Sequence, residues 1–264
     1  MTVEDSAGPP FLLLAHPGHE LRLFHWMERH RPCVFILSDG SGGAGTSRLS
    51  HSLATLDAAG ASAGEVFGQM PDVDWYSAML ARDARPLRRV ADMILAAALQ
   101  RRPATLVSDS VDGHNPLHDL CEALAIAVTK RLAAEGLAIR HLTSPATAGA
   151  IGRHAESWTL DDAAAGRKRA AAGAYGPLAE EIRRVLSAEP GALRSERLLT
   201  PTFEWPEHWQ PGWEAFGRKR IAEGRFRQAI TWSGHVRPLA RAILGPDAAV
   251  GREPEPFLAP AGTA

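Results

Sequence analysis

Short apolar runs that stop abruptly at polar loops constrain this chain more than anything else in it. Phe11–Ala15, Cys33–Leu37 and Ala104–Ser108 read as buried strands. Each ends at a loop rich in turn-forming residues and histidine or aspartate: AHPGHE, SDGSGGAGTS and SDSVDGHNPLHD. Val66–Phe67 and Ala138–Leu142 are two further strand candidates. Segments with helical spacing lie between them, at 21–28, 48–59, 86–99 and 117–134. Alternation of short apolar strands with helices predicts an α/β fold, a mostly parallel sheet with helices on both faces.

After Thr159 the pattern changes. An Ala/Arg/Glu helix is expected to run to about Ala188, followed by a Pro/Trp-rich stretch over 201–211 and a helix over 213–223. These isolated helices have no core of their own, so residues of about 160–250 are expected to form a helical cap on a single domain spanning 1–250. The segment 251–264, with three prolines and no periodicity, is expected to be a flexible tail. No internal repeat is present.

Composition narrows the function classes. Hydrophobic residues are 45% and charged residues 22% of 264, which is globular rather than disordered composition. A formal net charge of −1 gives no overall attraction to nucleic acid or membrane. Residues 1–10 lack the order of a signal peptide and FLLLA is too short to span a bilayer, so the expected location is the cytoplasm. The RKR runs at 167–169 and 218–220 read as solvated helix faces, and Cys33 and Cys121 as small buried thiols.

In open α/β sheets ligands bind beyond the carboxyl ends of the strands, where the three polar loops fall. His16 and His19 flank a Pro-Gly turn that could aim both imidazoles at one point, and His118 opens the helix after the fourth strand. Three neutral imidazoles with an open fourth position describe a catalytic zinc site. With eleven histidines in the chain, the pair alone is weak; His118 in the matching loop of another strand strengthens it. The glycines at 40–45 lack the Lys-Ser/Thr ending of a phosphate-binding loop and read as a substrate-shaping loop. Trp205, Trp209, Trp213 and Trp232 read as the core of the cap or, in part, as a stacking surface for a sugar.

Over roughly residues 11–200 the chain resembles the LmbE/PIG-L family, the N-acetylglucosaminyl deacetylases. FLLLAHPGHE resembles the family's opening strand and Ala-His-Pro-Asp-Asp-Glu motif, SDGSGGAG its Thr-Asp-Gly-Glu-x-Gly loop, and HNPLHD its Gly-His-Pro-Asp-His motif. The resemblance implies a Rossmann-like sheet, a zinc ion held by His16, His19 and His118, and Arg48 contacting substrate. It also implies hydrolysis of the amide of an N-acyl amino sugar or related small-molecule conjugate. Two departures bear on the chemistry. The family's ligand Asp is His19 here, and its general-base Asp is Gly18. Asp112 is the expected replacement base, with a turn-forming Asp-Gly pair as its alternative role. His114 is a candidate electrophile or acid, and His235 a candidate reaching the same pocket from the cap. Glu20, Asp109 and Asp119 are other carboxylates nearby in sequence, Glu20 reading as a helix N-terminal carboxylate. The competing functions are a catalytically altered relative acting as a binding or regulatory partner, and a metal-dependent enzyme of another hydrolytic or transfer class.

Overall fold

Side chains alternate across a strand, so each apolar run supplies both sides of the sheet at once. In β1 (Phe11–Leu14), Phe11 and Leu13 enter one core while Leu12 and Leu14 enter another. β2 (Cys33–Ser38) divides the same way, with Cys33, Phe35 and Leu37 opposite Val34 and Ile36. A sheet buried on both faces needs continuous apolar strands, which is why these runs do not alternate in polarity. The computed structural model describes residues 8–42 and 45–245.

β3 (Ser62–Met70), β4 (Thr105–Asp109) and β5 (Arg140–Ser144) complete the parallel part of a seven-stranded sheet ordered β3-β2-β1-β4-β5-β7-β6. Leu12 pairs with Val34 on one side and Val107 on the other, so β1 lies at the centre. The order reverses beside β1, the place where an open α/β sheet opens a crevice at its carboxyl edge. α1 (Phe24–His30), α2 (Leu49–Ala59) and α6 (Asp162–Ala174) cover one face; α3 (Asp72–Leu80), α4 (Arg85–Arg101), α5 (Pro116–Ala134) and α9 (Arg237–Leu244) cover the other. The expected Rossmann-like, mostly parallel α/β sheet with helices on both faces is the fold observed.

The second half differs from expectation in two respects. β6 (Arg153–Thr159) and β7 (Ser195–Thr200) add an antiparallel pair to the sheet edge, whereas no strand was expected beyond Ala138–Leu142. β6 is exposed or half-buried along its whole length and so lacks an apolar signal. The single helix expected to reach 188 is also broken. It stops at Tyr175, turns through Gly176–Leu178 and restarts as α7 (Ala179–Ala188). Pro177 has no N–H to continue the ladder of α6. The C-terminal aromatics Phe203, Trp205, Trp213 and Trp232 pack into the same core as α4 and α5. The segment 251–264 lies outside the described residues.

Cys33 and Cys121 are buried and free, as expected. The basic run 167–169 is not wholly solvated: Lys168 is buried, and its ammonium bonds Glu196 at 2.9 Å and the Arg22 carbonyl at 2.8 Å. A lysine on the sheet side of α6 can be covered only if such partners meet it. Among the described residues no helix is long and apolar enough to cross a membrane.

One buried acid on α5 gives the fold a pH dependence. The Glu122 carboxyl, which accepts the Val111 N–H at 2.7 Å, is pushed by burial up to about 8. Its folded value lies above its unfolded one, so the folded chain holds a proton that the unfolded chain releases as pH rises. This stabilisation is complete below the unfolded pKa and is lost as pH climbs through the window to about 8. Glu122→Gln keeps the acceptor without the proton. Urea unfolding followed by circular dichroism should therefore show the variant losing less stability than wild type between about pH 5 and about pH 8.

Candidate active site

Three elements that leave the carboxyl edge of the sheet bring three imidazoles together. His16 lies just beyond β1, His19 begins a 3-10 turn over His19–Leu23, and His118 lies in the first turn of α5. The Asn115 side chain caps that helix by accepting the Leu117 N–H at 2.8 Å, and Pro116 presets its first turn. Ring centroids are 5.6 Å apart for His16 and His19, 5.2 Å for His16 and His118, and 4.7 Å for His19 and His118. The sequence-predicted trio is thus a compact triangle drawn from two strand ends.

Each ring is fixed through Nδ1. That of His16 lies 2.9 Å from Ser38 Oγ and 3.2 Å from the Asp72 carboxylate. His19 Nδ1 is 2.8 Å from Asp109 Oδ2, and His118 Nδ1 is 2.9 Å from Asp112 Oδ2. Nε2 is therefore the nitrogen left for a ligand, and that of His16 is buried without a partner among the described residues. Burial lowers the His19 pKa to about 4 against the pull of Asp109, so at neutral pH it is a neutral ring donating to an ionised carboxylate. Burial would raise Asp109, but His19, His118 and the Ala15 N–H bring it down to about 2. His118 is also desolvated, yet Asp112 and Asp109 together raise its pKa.

The triangle fits a borderline cation in donor type, in ring anchoring and in the orphaned Nε2. Among the described residues, however, no three His, Cys, Asp or Glu side chains stand as a ready-made cage for a metal ion.

The other expected groups fall in different places. Asp112 has both oxygens engaged, Oδ2 with His118 and Oδ1 with the His114 N–H at 2.8 Å, and its carboxylate is wholly covered. It orients His118 rather than standing free beside it. His114 is exposed, with its ring stacked 6.4 Å from that of His118. His235 is turned into its own π-turn, where Nδ1 accepts the Thr231 N–H at 3.0 Å, and no ring contact or hydrogen bond joins it to the triangle. Arg48 gives its Nε to the Gly40 carbonyl at 2.7 Å. Gly18 adopts φ 105°, and a Cβ there would lie 2.3 Å from Leu178 Cδ1, so backbone and packing both favour glycine at the position of the missing base.

Sequence reasoning overlooked Ser38 and Asp72 and left Asp109 as one nearby carboxylate among several. Asp109 and Ser38 are the last residues of β4 and β2, and Asp72 is the first of α3. A polar residue closing an otherwise apolar strand was the available signal for the first two.

No family model matches the chain, and no curated protein matches it in sequence. Solved structures do resemble it. The A40926 pseudoaglycone deacetylase Dbv21 superposes with a TM-score of 0.52 and 16% identity, over 73% of this chain and 96% of its own. A zinc-inhibited form of the teicoplanin deacetylase Orf2 gives 0.50 and 13%, over 72% and 97%. The deacetylase in complex with teicoplanin gives 0.50 and 14%, over 72% and 98%. At these identities the likeness is one of fold, and the fold is that of these deacetylases.

A clamp from the C-terminal part holds the Asp112 loop against the triangle. Buried Asp119 accepts the N–H groups of Asp112 and Gly113 at 3.0 and 3.2 Å, and Trp213 Nε1 at 2.7 Å. The Trp213 N–H also donates to the Gly113 carbonyl at 3.0 Å. Trp213→Phe keeps an aromatic ring in the core but removes the indole N–H, leaving the carboxylate short of a donor. It should cost about 1–3 kcal/mol in urea unfolding and accelerate amide exchange at Gly113.

Proposed function

We propose that this chain is a metal-dependent hydrolase of the LmbE/PIG-L type, removing the acyl group from an N-acyl amino sugar or related conjugate at the three-histidine site. The observation that carries this reading is the triangle itself, three imidazoles whose Nδ1 atoms are all engaged away from the ligand. The likeness in fold to the A40926 pseudoaglycone deacetylase and to the deacetylase in complex with teicoplanin supports a deacetylase-like reaction. A divalent ion, with zinc the first candidate, held by His16, His19 and His118 would polarise the acyl carbonyl and make a bound water easier to deprotonate.

The chain's own groups supply the rest. Ser38, Asp109 and Asp112 hold the three rings in one orientation and tautomer. His114, exposed beside His118, is the group we assign to proton transfer, since Gly18 offers none and Asp112 is committed to His118. Hydrolysis breaks the amide C–N bond. The water oxygen ends in the released carboxylate, one water proton passes through His114 to the leaving nitrogen, and the second also ends on the amine, which departs as an ammonium. Among the described residues Arg48 is bound through Nε alone, to the Gly40 carbonyl, and we assign its Nη1 and Nη2 to a polar group of the sugar. A second reading, a binding protein that keeps this scaffold without hydrolysis, is favoured by the glycine at the base position.

Elemental analysis and acetate release from N-acetylglucosamine conjugates test the proposal together. Protein grown with zinc and purified without a histidine tag should hold about one ion per chain, and His16→Ala or His118→Ala should lose most of it with a native far-ultraviolet spectrum. Asp112→Asn should loosen zinc by about 10–100-fold through His118, and His114→Gln should slow turnover by about 10²-fold with the metal retained. Protein that takes up no zinc would overturn the metal site. Zinc-loaded protein that hydrolyses no N-acyl sugar would favour the binding reading.

A further inference from the structure

The 3-10 turn that carries His19 also carries an arginine the site has not yet accounted for. In a 3-10 helix residues three apart eclipse, so Arg22 stacks beside His19 on one face of His19–Leu23. Glu20, Leu21 and Leu23 are buried, whereas His19 and Arg22 are half-buried, so the accessible face of the turn is built from these two. The Arg22 guanidinium sits in the field of Asp109, Glu181 and Asp112. Two of those carboxylates anchor the rings of His19 and His118.

Several guanidiniums of this chain are matched inside it, whereas others, such as the exposed Arg29 and Arg89, have no partner among the described residues. Arg85, Arg167 and Arg218 each meet a carboxylate with two nitrogens, on Asp83, Glu28 and Glu214. Among the described residues the Arg22 guanidinium makes no hydrogen bond or ion pair; the contact it offers is its backbone carbonyl, taken by Lys168. Asp109 commits Oδ2 to His19 and the Ala15 N–H, with its Oδ1 buried and without a partner among the described residues, and Asp112 commits both oxygens to His118 and the His114 N–H. Lys168, the neighbouring cation, is neutralised by Glu196. A half-covered guanidinium without a partner is costly, and arginine does not shed its proton to escape that cost. Its fork matches one kind of group best, a planar anionic pair of oxygens.

We infer that Arg22 binds a carboxylate of the ligand beside His19, making this edge of the three-histidine site an anion-binding subsite. The inference rests on the proposed reading of the triangle as the ligand site and adds a substrate feature to it. The carboxylate has two possible sources, the acyl group after hydrolysis and a permanent acidic substituent on the sugar. Arg48, on the loop after β2, then serves a different part of the ligand.

Titration of the purified protein with acetate, and separately with glucuronate, followed by ligand-observed NMR, tests this. At least one of the two should bind saturably, and Arg22→Gln should weaken that binding about tenfold or more. Arg22→Lys should recover part of the loss, because the charge remains while the fork does not. Arg29→Gln removes the same charge from an exposed position and should change binding less than about twofold. Tighter acetate binding assigns the subsite to the acyl product, and tighter glucuronate binding to an acidic sugar; thermal melts check that each variant is folded. Equal affinity in wild type and folded Arg22→Gln overturns the inference, as do equal weakening by Arg29→Gln, wild-type affinity in Arg22→Lys, and no saturable binding of either anion. Acetate release measured on the same preparations separates the two claims. Hydrolysis without Arg22-dependent binding removes the subsite alone, whereas Arg22-dependent binding without hydrolysis removes the deacetylase reading alone.

Discussion

A single carboxylate oxygen joins the centre of the sheet to the site. Asp109 Oδ2 accepts the Ala15 N–H at 2.7 Å and faces His19 Nδ1 at 2.8 Å, so the end of β4 is tied both to the end of β1 and to the turn that follows it. An ionised group 1% exposed depends on the donors it has, and both donors to Oδ2 are parts that must be aligned, while Oδ1 has none among the described residues. The parallel register of β1 and β4 thereby sets where His19 stands. Removing the charge would release an imidazole and a strand end together.

The same arrangement shifts negative charge outward. In the deacetylase pattern that this sequence resembles, carboxylates stand at the ligand position and at the base. Here the inner positions are imidazole and glycine, and Asp72, Asp109 and Asp112 stand one bond further out, each against a ring nitrogen. A side chain at position 18 would be strained, because the backbone there is left-handed, and the tip of Leu178 would have to move aside.

The central sheet was legible because its strands are buried on both faces and advertise themselves as unbroken apolar runs. The histidine triangle was legible because all three rings sit at strand ends or in the first turn of the helix that follows. β6 was not, since an exposed edge strand such as Arg153–Thr159 needs no apolar face and carries none, and β7, although inside the sheet, has only Leu198 and Leu199 as apolar residues. Asp72 was hidden for a different reason. It opens α3 like any helix-starting acid, and nothing local indicates that the fold will bring it 3.2 Å from His16. Arg22 belongs to the same class, because its position depends on the turn being 3-10, where it eclipses His19, rather than α-helical.

The clamp formed by Asp119 and Trp213 spans 94 residues of sequence. On the ribosome, β1, β2, β4 and the start of α5 emerge well before that tryptophan, so the three histidines can gather while the loop beside them is still held from one side only. The Asp112 loop therefore gains this second support only from a residue synthesised after every parallel strand of the sheet.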